Sequence, residues 1–107
     1  MELKQYSIVL VNLDPTVGSE IQKTRPCVII SPDEMNRYLH TIIVAPMTTS
    51  EKPYPTRVAV VYYNVSGQIV VDQIRTVDRQ RIIRVLGHLQ RKEVLLLKSV
   101  IKETLVD

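Results

Sequence analysis

Hydrophobic residues along this chain come in short bursts, separated by polar turns that carry proline or glycine, and that pattern predicts strands over most of the length. Residues 6–13 (YSIVLVNL) are rich in β-branched side chains and stop at Asp14-Pro15, which reads as a buried strand. Residues 27–30 (CVII) read as a second. In SPDEMNRY, which follows, Ser31, Pro32 and Glu34 fit an N-cap, a first-turn proline and a capping-box acid, predicting one short helix to about Tyr38. Residues 41–47 (TIIVAPM) make a third strand. Pro46 has no N–H for a ladder, so that strand must end, bulge or lie on an edge there. Residues 48–55 (TTSEKPYP) form a loop, 57–63 (RVAVVYY) a fourth strand, 64–67 a turn, 68–74 (QIVVDQI) a fifth strand and 82–89 (IIRVLGHL) a sixth. From Arg91 to about Leu105 the apolar residues Val94, Leu97, Ile101 and Leu105 recur at helical spacing, predicting an amphipathic terminal helix.

Short sequential strands with one helix at the end predict a mostly β (α+β) fold, a small curled antiparallel sheet or partly open barrel. At 107 residues, with no repeat or linker, residues 1–107 read as a single domain. If the first five strands alternate up and down, as short connections favour, several polar segments meet at one edge of the sheet. That rim would collect the loop 14–24, Arg25, Thr48, the loop 49–55, Arg57 and Asp72-Gln73-Ile74-Arg75.

Composition narrows the chemistry. A single cysteine excludes an intrachain disulfide, and Cys27 lies in an apolar run, as a small core residue would. Two well-separated histidines and no Cys/His cluster give no zinc site, and no metal or other cofactor is expected. The N-terminus lacks the pattern of a signal peptide, and no apolar run approaches the roughly 18 residues that cross a bilayer. A soluble cytoplasmic protein is the expectation. The net charge of +3 permits a nucleic-acid or acidic-protein partner without demanding one. All five aromatic residues are tyrosines, which stack on bases or pack at barrel edges equally well.

The rim residues are Glu20, the arginines Arg25, Arg57 and Arg75, the hydroxyls of Ser19, Thr48 and Thr49, and the amide of Gln73. They include no carboxylate cluster for Mg²⁺, no Ser/His/Asp set and no Gly-rich phosphate loop. What remains suits a phosphodiester without a metal. Arginine neutralises charge on the non-bridging oxygens, a hydroxyl shares that load, and a carboxylate or arginine moves protons. In RNA the adjacent 2′-OH supplies the nucleophile. Arg25 stands out because the residue before proline is held extended and Pro26 fixes its own φ, so its side chain leaves a stiff point of backbone. The plain alternatives are a surface Arg25 paired with Glu20 or Asp72, and a structural ion pair between Asp72 and Arg75. Lys23 and Lys52 are loop charges that would add salt-sensitive affinity beside a polyanion. Taken alone, none of these residues identifies an enzyme.

Three blocks in combination, DPTVGSE…RPCVIISPDEMNR, IVAPMTT and VVDQIRTVDRQRI, resemble the MazF/PemK (Kid) toxins of bacterial type II toxin–antitoxin systems, in order and over nearly the whole chain. Ser19 stands where PemK-type members carry histidine and Val70 where they carry arginine, so the chain is closer to the MazF branch. The resemblance implies an SH3-like barrel, a homodimer and a metal-independent endoribonuclease that cuts single-stranded RNA at a short sequence, leaving a 2′,3′-cyclic phosphate and a 5′-OH. It puts the catalytic arginine and threonine on Arg25 and Thr48, a loop glutamate on Glu20 and a strand-end glutamine on Gln73. Ser19, Lys23, Thr49, Lys52, Tyr54, Gln73 and Arg75 are then the expected RNA contacts, Tyr54 as a stacking platform. The family also implies an antitoxin whose disordered acidic tail covers the basic groove and folds on binding, with salt-sensitive affinity. Two rivals stay open on sequence: a non-catalytic poison on the same barrel, like the CcdB gyrase inhibitors, and an RNA-binding module without catalysis.

Overall fold

The computed structural model describes residues 2–49, 54–62 and 65–107. Strands β1 (Ser7–Asn12), β2 (Thr24–Ile29), β3 (Thr41–Thr48), β4 (Arg57–Tyr62), β5 (Val65–Val70), β6 (Arg75–Asp78) and β7 (Ile82–His88) form one antiparallel sheet. Its order is β4-β5-β3-β2-β1-β7, with β6 paired to the first half of β3. Helix α1 (Asp33–Tyr38) joins β2 to β3, and α2 (Arg91–Ile101) follows β7.

Alternation along the strands divides the apolar residues between two cores. Val9 and Val11 of β1, Cys27 and Ile29 of β2, and Ile42 and Val44 of β3 pack into one, which Ile21 of the first loop closes. Their neighbours Ile8, Val28, Ala45 and Met47 enter the other, with Val58, Val60, Ile69 and Leu97. Apolar residues on both faces are why these strands read as unbroken hydrophobic runs. Leu97 is fully buried, and burial of one leucine contributes about 1.5–3 kcal/mol. The stripe fades beyond it: Leu105 is exposed, and the chain there leaves α2 through a wider π turn over Lys102–Val106. A capping box between Gln90 and Glu93 starts α2.

Pro46 neither ends β3 nor bulges it. The strand runs through to Thr48 but changes partner around the proline: Thr41–Val44 pair with β6, whereas Met47 and Thr48 pair with Ile69 and Gln68 of β5. A residue without an N–H suits the point where one ladder has stopped and the next has not begun.

Four expectations need correction. The fifth predicted strand, 68–74, ends at Val70 and gives way to a 3₁₀ turn over Val71–Gln73; Val65–Gly67 belong to β5 rather than to a turn, and β6 has no counterpart among the predicted strands. The up-and-down alternation fails after β3, because β4 pairs with β5 and therefore runs in the direction of β3. β3 and β4 both lie antiparallel to β5, and bonds just before β4 extend its ladder: Val71 N–H donates to the Thr56 carbonyl (3.0 Å), and Asp72 accepts from the Thr56 hydroxyl (2.8 Å). Ser31 is not the N-cap of α1; Pro32 occupies that position with no side-chain cap. The Ser31 hydroxyl is instead buried, donating to the Asn36 side chain and accepting from Ile43 N–H (3.1 Å), and so ties α1 to β3. Finally, Asp72 forms its ion pair with Arg57 (3.7 Å), not with Arg75.

Candidate active site

The β2–β3 register pairs Cys27 with Pro46, and continuing it by two positions sets Arg25 across from Thr48. Both line one depression of about 410 Å³, shared with Pro26, Met47, Thr49, Tyr62, Val65 and Gly67. Arg25 lies in the β1–β2 ladder opposite Val11, immediately before Pro26, so its backbone is fixed by pairing on one side and by the proline on the other. Its Nε donates to the Gln22 carbonyl (3.3 Å), orienting the guanidinium plane while engaging one of five donors. The side chain is exposed, and Thr48 is half-buried beside it. Gly67 gives this site its closeness: a Cβ there would lie 2.6 Å from the Thr48 carbonyl oxygen.

A second depression, of about 510 Å³, is lined by Leu13, Glu20, Ile21, Pro46, Asp72, Gln73, Ile74 and Arg75. Glu20 does not share the hollow of Arg25 and Thr48. Its carboxylate is turned onto its own loop, accepting from Val17 N–H at 2.6 Å, with Gly18 in the left-handed region (φ 60°) at the tip. Gln73 accepts from Ile21 N–H through Oε1 (2.8 Å), and Arg75 donates to the Leu13 carbonyl (3.2 Å), so both hold the loop that carries Glu20.

The remaining predicted contacts are dispersed around these two hollows. Ser19 is exposed on the first loop, and Lys23 closes that loop through its backbone: its N–H donates to Asp14 Oδ1 (2.9 Å) and its carbonyl accepts from Leu13 N–H (2.9 Å). Thr49 is exposed at the end of β3. Tyr54 is half-exposed with the Arg57 guanidinium 4.8 Å over its ring, which occupies one stacking face. Lys52 lies outside the described residues. Among the described residues the ion pair between Arg57 and Asp72 is the only one, so Arg25 is paired with neither Glu20 nor Asp72.

Tyr62 was not among the residues singled out from sequence, because the apolar run RVAVVYY does not reveal which tyrosine faces the site. Its position opposite Val65 in the β4–β5 ladder places it there. Cys27, two residues from Arg25, is no nucleophile: burial pushes its thiol up to about 12, against a smaller opposing effect of the Arg75 charge. Among the described residues no three His, Cys, Asp or Glu side chains are grouped to hold a metal ion, and no helix is long and apolar enough to cross a membrane.

A positioned guanidinium beside a hydroxyl can take up negative charge on a phosphoryl group. The neighbouring hollow, with its amide and carboxylates, offers hydrogen-bonding groups to an adjacent base. A family model for the PemK-like, MazF-like toxin of type II toxin–antitoxin systems matches residues 4–105. The endoribonuclease EndoA of Bacillus subtilis is 34% identical over 95 residues, which cover 83% of this chain and 82% of that protein. The endoribonuclease MazF of Staphylococcus saprophyticus is 33% identical over 98 residues, covering 86% and 82%. A crystal structure of MazF from Deinococcus radiodurans has the same fold, with a TM-score of 0.87 at 24% identity over 98% of this chain and 97% of that one. A crystal structure of MazE–MazF from the same organism matches with a TM-score of 0.81 at 21% identity, over 99% and 97%.

Proposed function

The chain belongs to the family of PemK-like, MazF-like toxins of type II toxin–antitoxin systems, and on that premise we propose that it is a sequence-specific, metal-independent endoribonuclease acting on single-stranded RNA. The observation that carries this reading is that Arg25 and Thr48 line one hollow just past the end of the β2–β3 ladder. The names of the two curated relatives point the same way. In the proposed reaction the 2′-oxygen of the nucleotide 5′ to the cut attacks phosphorus while the bond to the 5′-oxygen breaks. The 2′-hydroxyl proton passes to a base, and the departing 5′-oxygen takes up a proton, leaving a 2′,3′-cyclic phosphate and a 5′-OH. Arg25 stabilises the charge on the non-bridging oxygens and serves in proton transfer; Thr48 holds the scissile phosphate.

Glu20 lines the neighbouring hollow rather than that of Arg25 and Thr48, so to act there as the orienting group or base its loop must move toward Arg25. Gln73 and Asp72 line the hollow for a neighbouring base; Ser19, Lys23, Thr49, Tyr54 and Arg75 are the proposed RNA contacts around it, together with Lys52, which lies outside the described residues. The protein is proposed as a single toxin domain that works as a cytoplasmic homodimer. Its partner is an antitoxin whose acidic tail would cover the Arg25 groove with salt-sensitive affinity.

Purified protein incubated with mixed-sequence RNA in EDTA is expected to produce discrete cuts with 5′-OH ends. Intact RNA that is nonetheless bound would overturn the enzyme in favour of a binding module. Intact RNA with inhibited gyrase would favour a CcdB-like poison.

A further inference from the structure

We propose that Arg81 is a positioning residue for the Arg25–Thr48 site, acting through the backbone at the end of β1; the proposal rests on the ribonuclease reading of that site. Arg81 ends a short 3₁₀ turn (Arg79–Arg81) between β6 and β7. Asp78 fixes that turn by accepting from Gln80 N–H at 2.8 Å. From there the Arg81 Nη1 donates to two carbonyls, those of Asn12 (3.3 Å) and Asp14. The carbonyl between them, on Leu13, takes the bond from Arg75. Three successive carbonyls at the exit of β1 are thus held by two guanidinium groups from the segment around β6.

What those carbonyls control lies across the ladder. Asn12 is paired with Thr24 and Val11 with Arg25. Leu13 and Asp14 are bonded to Lys23, closing the loop that bears Glu20. A shift of Asn12–Asp14 therefore moves both the root of that loop and the strand end from which Arg25 projects. Arg81 itself lines neither hollow of the site; it borders a separate surface with Asn12, Asp14, Asp78, Gln80 and Ile83. Both bonds leave one nitrogen, Nη1, which stands one bond farther from the backbone than a lysine ammonium does, so lysine falls short of the two carbonyls.

The test uses Arg81→Met, which keeps the stem and removes the donors, Arg81→Lys, which keeps the charge, and Arg84→Met on β7 as a control. With a short cleavable RNA, Arg81→Met is expected to lower kcat about tenfold to a hundredfold, the scale of a small misplacement of catalytic groups, with KM little changed. Amide exchange at residues 13–23 should rise about tenfold, the equivalent of one lost hydrogen bond to a charged donor. Arg81→Lys should recover only part of either effect, and Arg84→Met should behave as wild type. A direct phosphate contact predicts otherwise: full rescue by lysine, and in Arg81→Met a salt dependence of RNA binding weakened by about one unit of slope. That result would overturn the proposal, as would faster exchange spread over the whole chain with unchanged kcat per folded molecule. Should the wild-type protein cut no RNA, the ribonuclease reading fails, while the exchange comparison still decides whether Arg81 holds the loop.

Discussion

Arg25→Ala is expected to slow RNA cleavage by about a hundredfold to a thousandfold, the range for removing one preorganised donor from a site of developing charge. The fold should survive, because the Arg25 side chain is exposed and makes no ion pair with Glu20 or Asp72. Its described bond is the one to the Gln22 carbonyl, a contact at the surface of the loop. Thermal melting should therefore shift by little, and RNA binding should weaken far less than the rate falls. Single-turnover kinetics with saturating enzyme separate the two. A variant that cuts at the wild-type rate would remove Arg25 from the mechanism, and one that unfolds would show that the arginine has a structural role after all.

Gly67→Ala is expected to damage stability and cleavage together. The added Cβ would meet the Thr48 carbonyl oxygen at 2.6 Å and its carbonyl carbon at 3.5 Å, both backbone atoms that cannot swing aside as a side-chain tip can. Overpacking of this kind costs about 1–3 kcal/mol, which in a domain near this size lowers Tm by about 4–8 °C for each kcal/mol. Thr48 shares one hollow with Arg25, so the strand that yields is the one that carries half of the proposed site. A displacement of about an ångström is enough for a hundredfold loss of rate. The variant is checked by thermal melting and by cleavage at a temperature where it is fully folded. Wild-type values in both would mean that β3 and β5 can separate there without consequence, and the account of Gly67 would fall.

Most of the strand content was legible because β1, β2 and β3 bury both faces, and unbroken β-branched runs carry that information locally. The direction of β4 was not legible. It follows from the pairing of β5 with β3, Met47 opposite Ile69 and Thr48 opposite Gln68, contacts between segments far apart in sequence that no periodicity reports. The end of β5 was hidden for a related reason: Val70 and Val71 continue the apolar run, yet the backbone turns at Val71–Gln73, and β6 that follows is too short and polar to show a pattern of its own. Ser31 carried the local signature of an N-cap, but a buried partner in Asn36 competed for its hydroxyl and won.

The site divides along the same line. That Arg25 and Thr48 come together was legible because connectivity puts the start of β2 and the end of β3 at one edge of the sheet; the catalytic roles given to them rest on the family resemblance. The first loop is another matter, since Glu20 could have pointed anywhere. Its engagement with Val17 N–H, the Gln73 clasp on Ile21 and the Arg81 bonds to Asn12 and Asp14 are tertiary facts. Gln73 and Arg75, expected as RNA contacts, hold the first loop.

The central claim is that RNA supplies its own nucleophile to a phosphate held between Arg25 and Thr48. The direct measurement replaces the nucleotide 5′ to a mapped cut with its 2′-deoxy form and follows cleavage in EDTA. The account predicts that this RNA binds as tightly as the parent and is not cut at that position. Continued cleavage at the same bond would show that water, not the 2′-oxygen, attacks, and would contradict the mechanism.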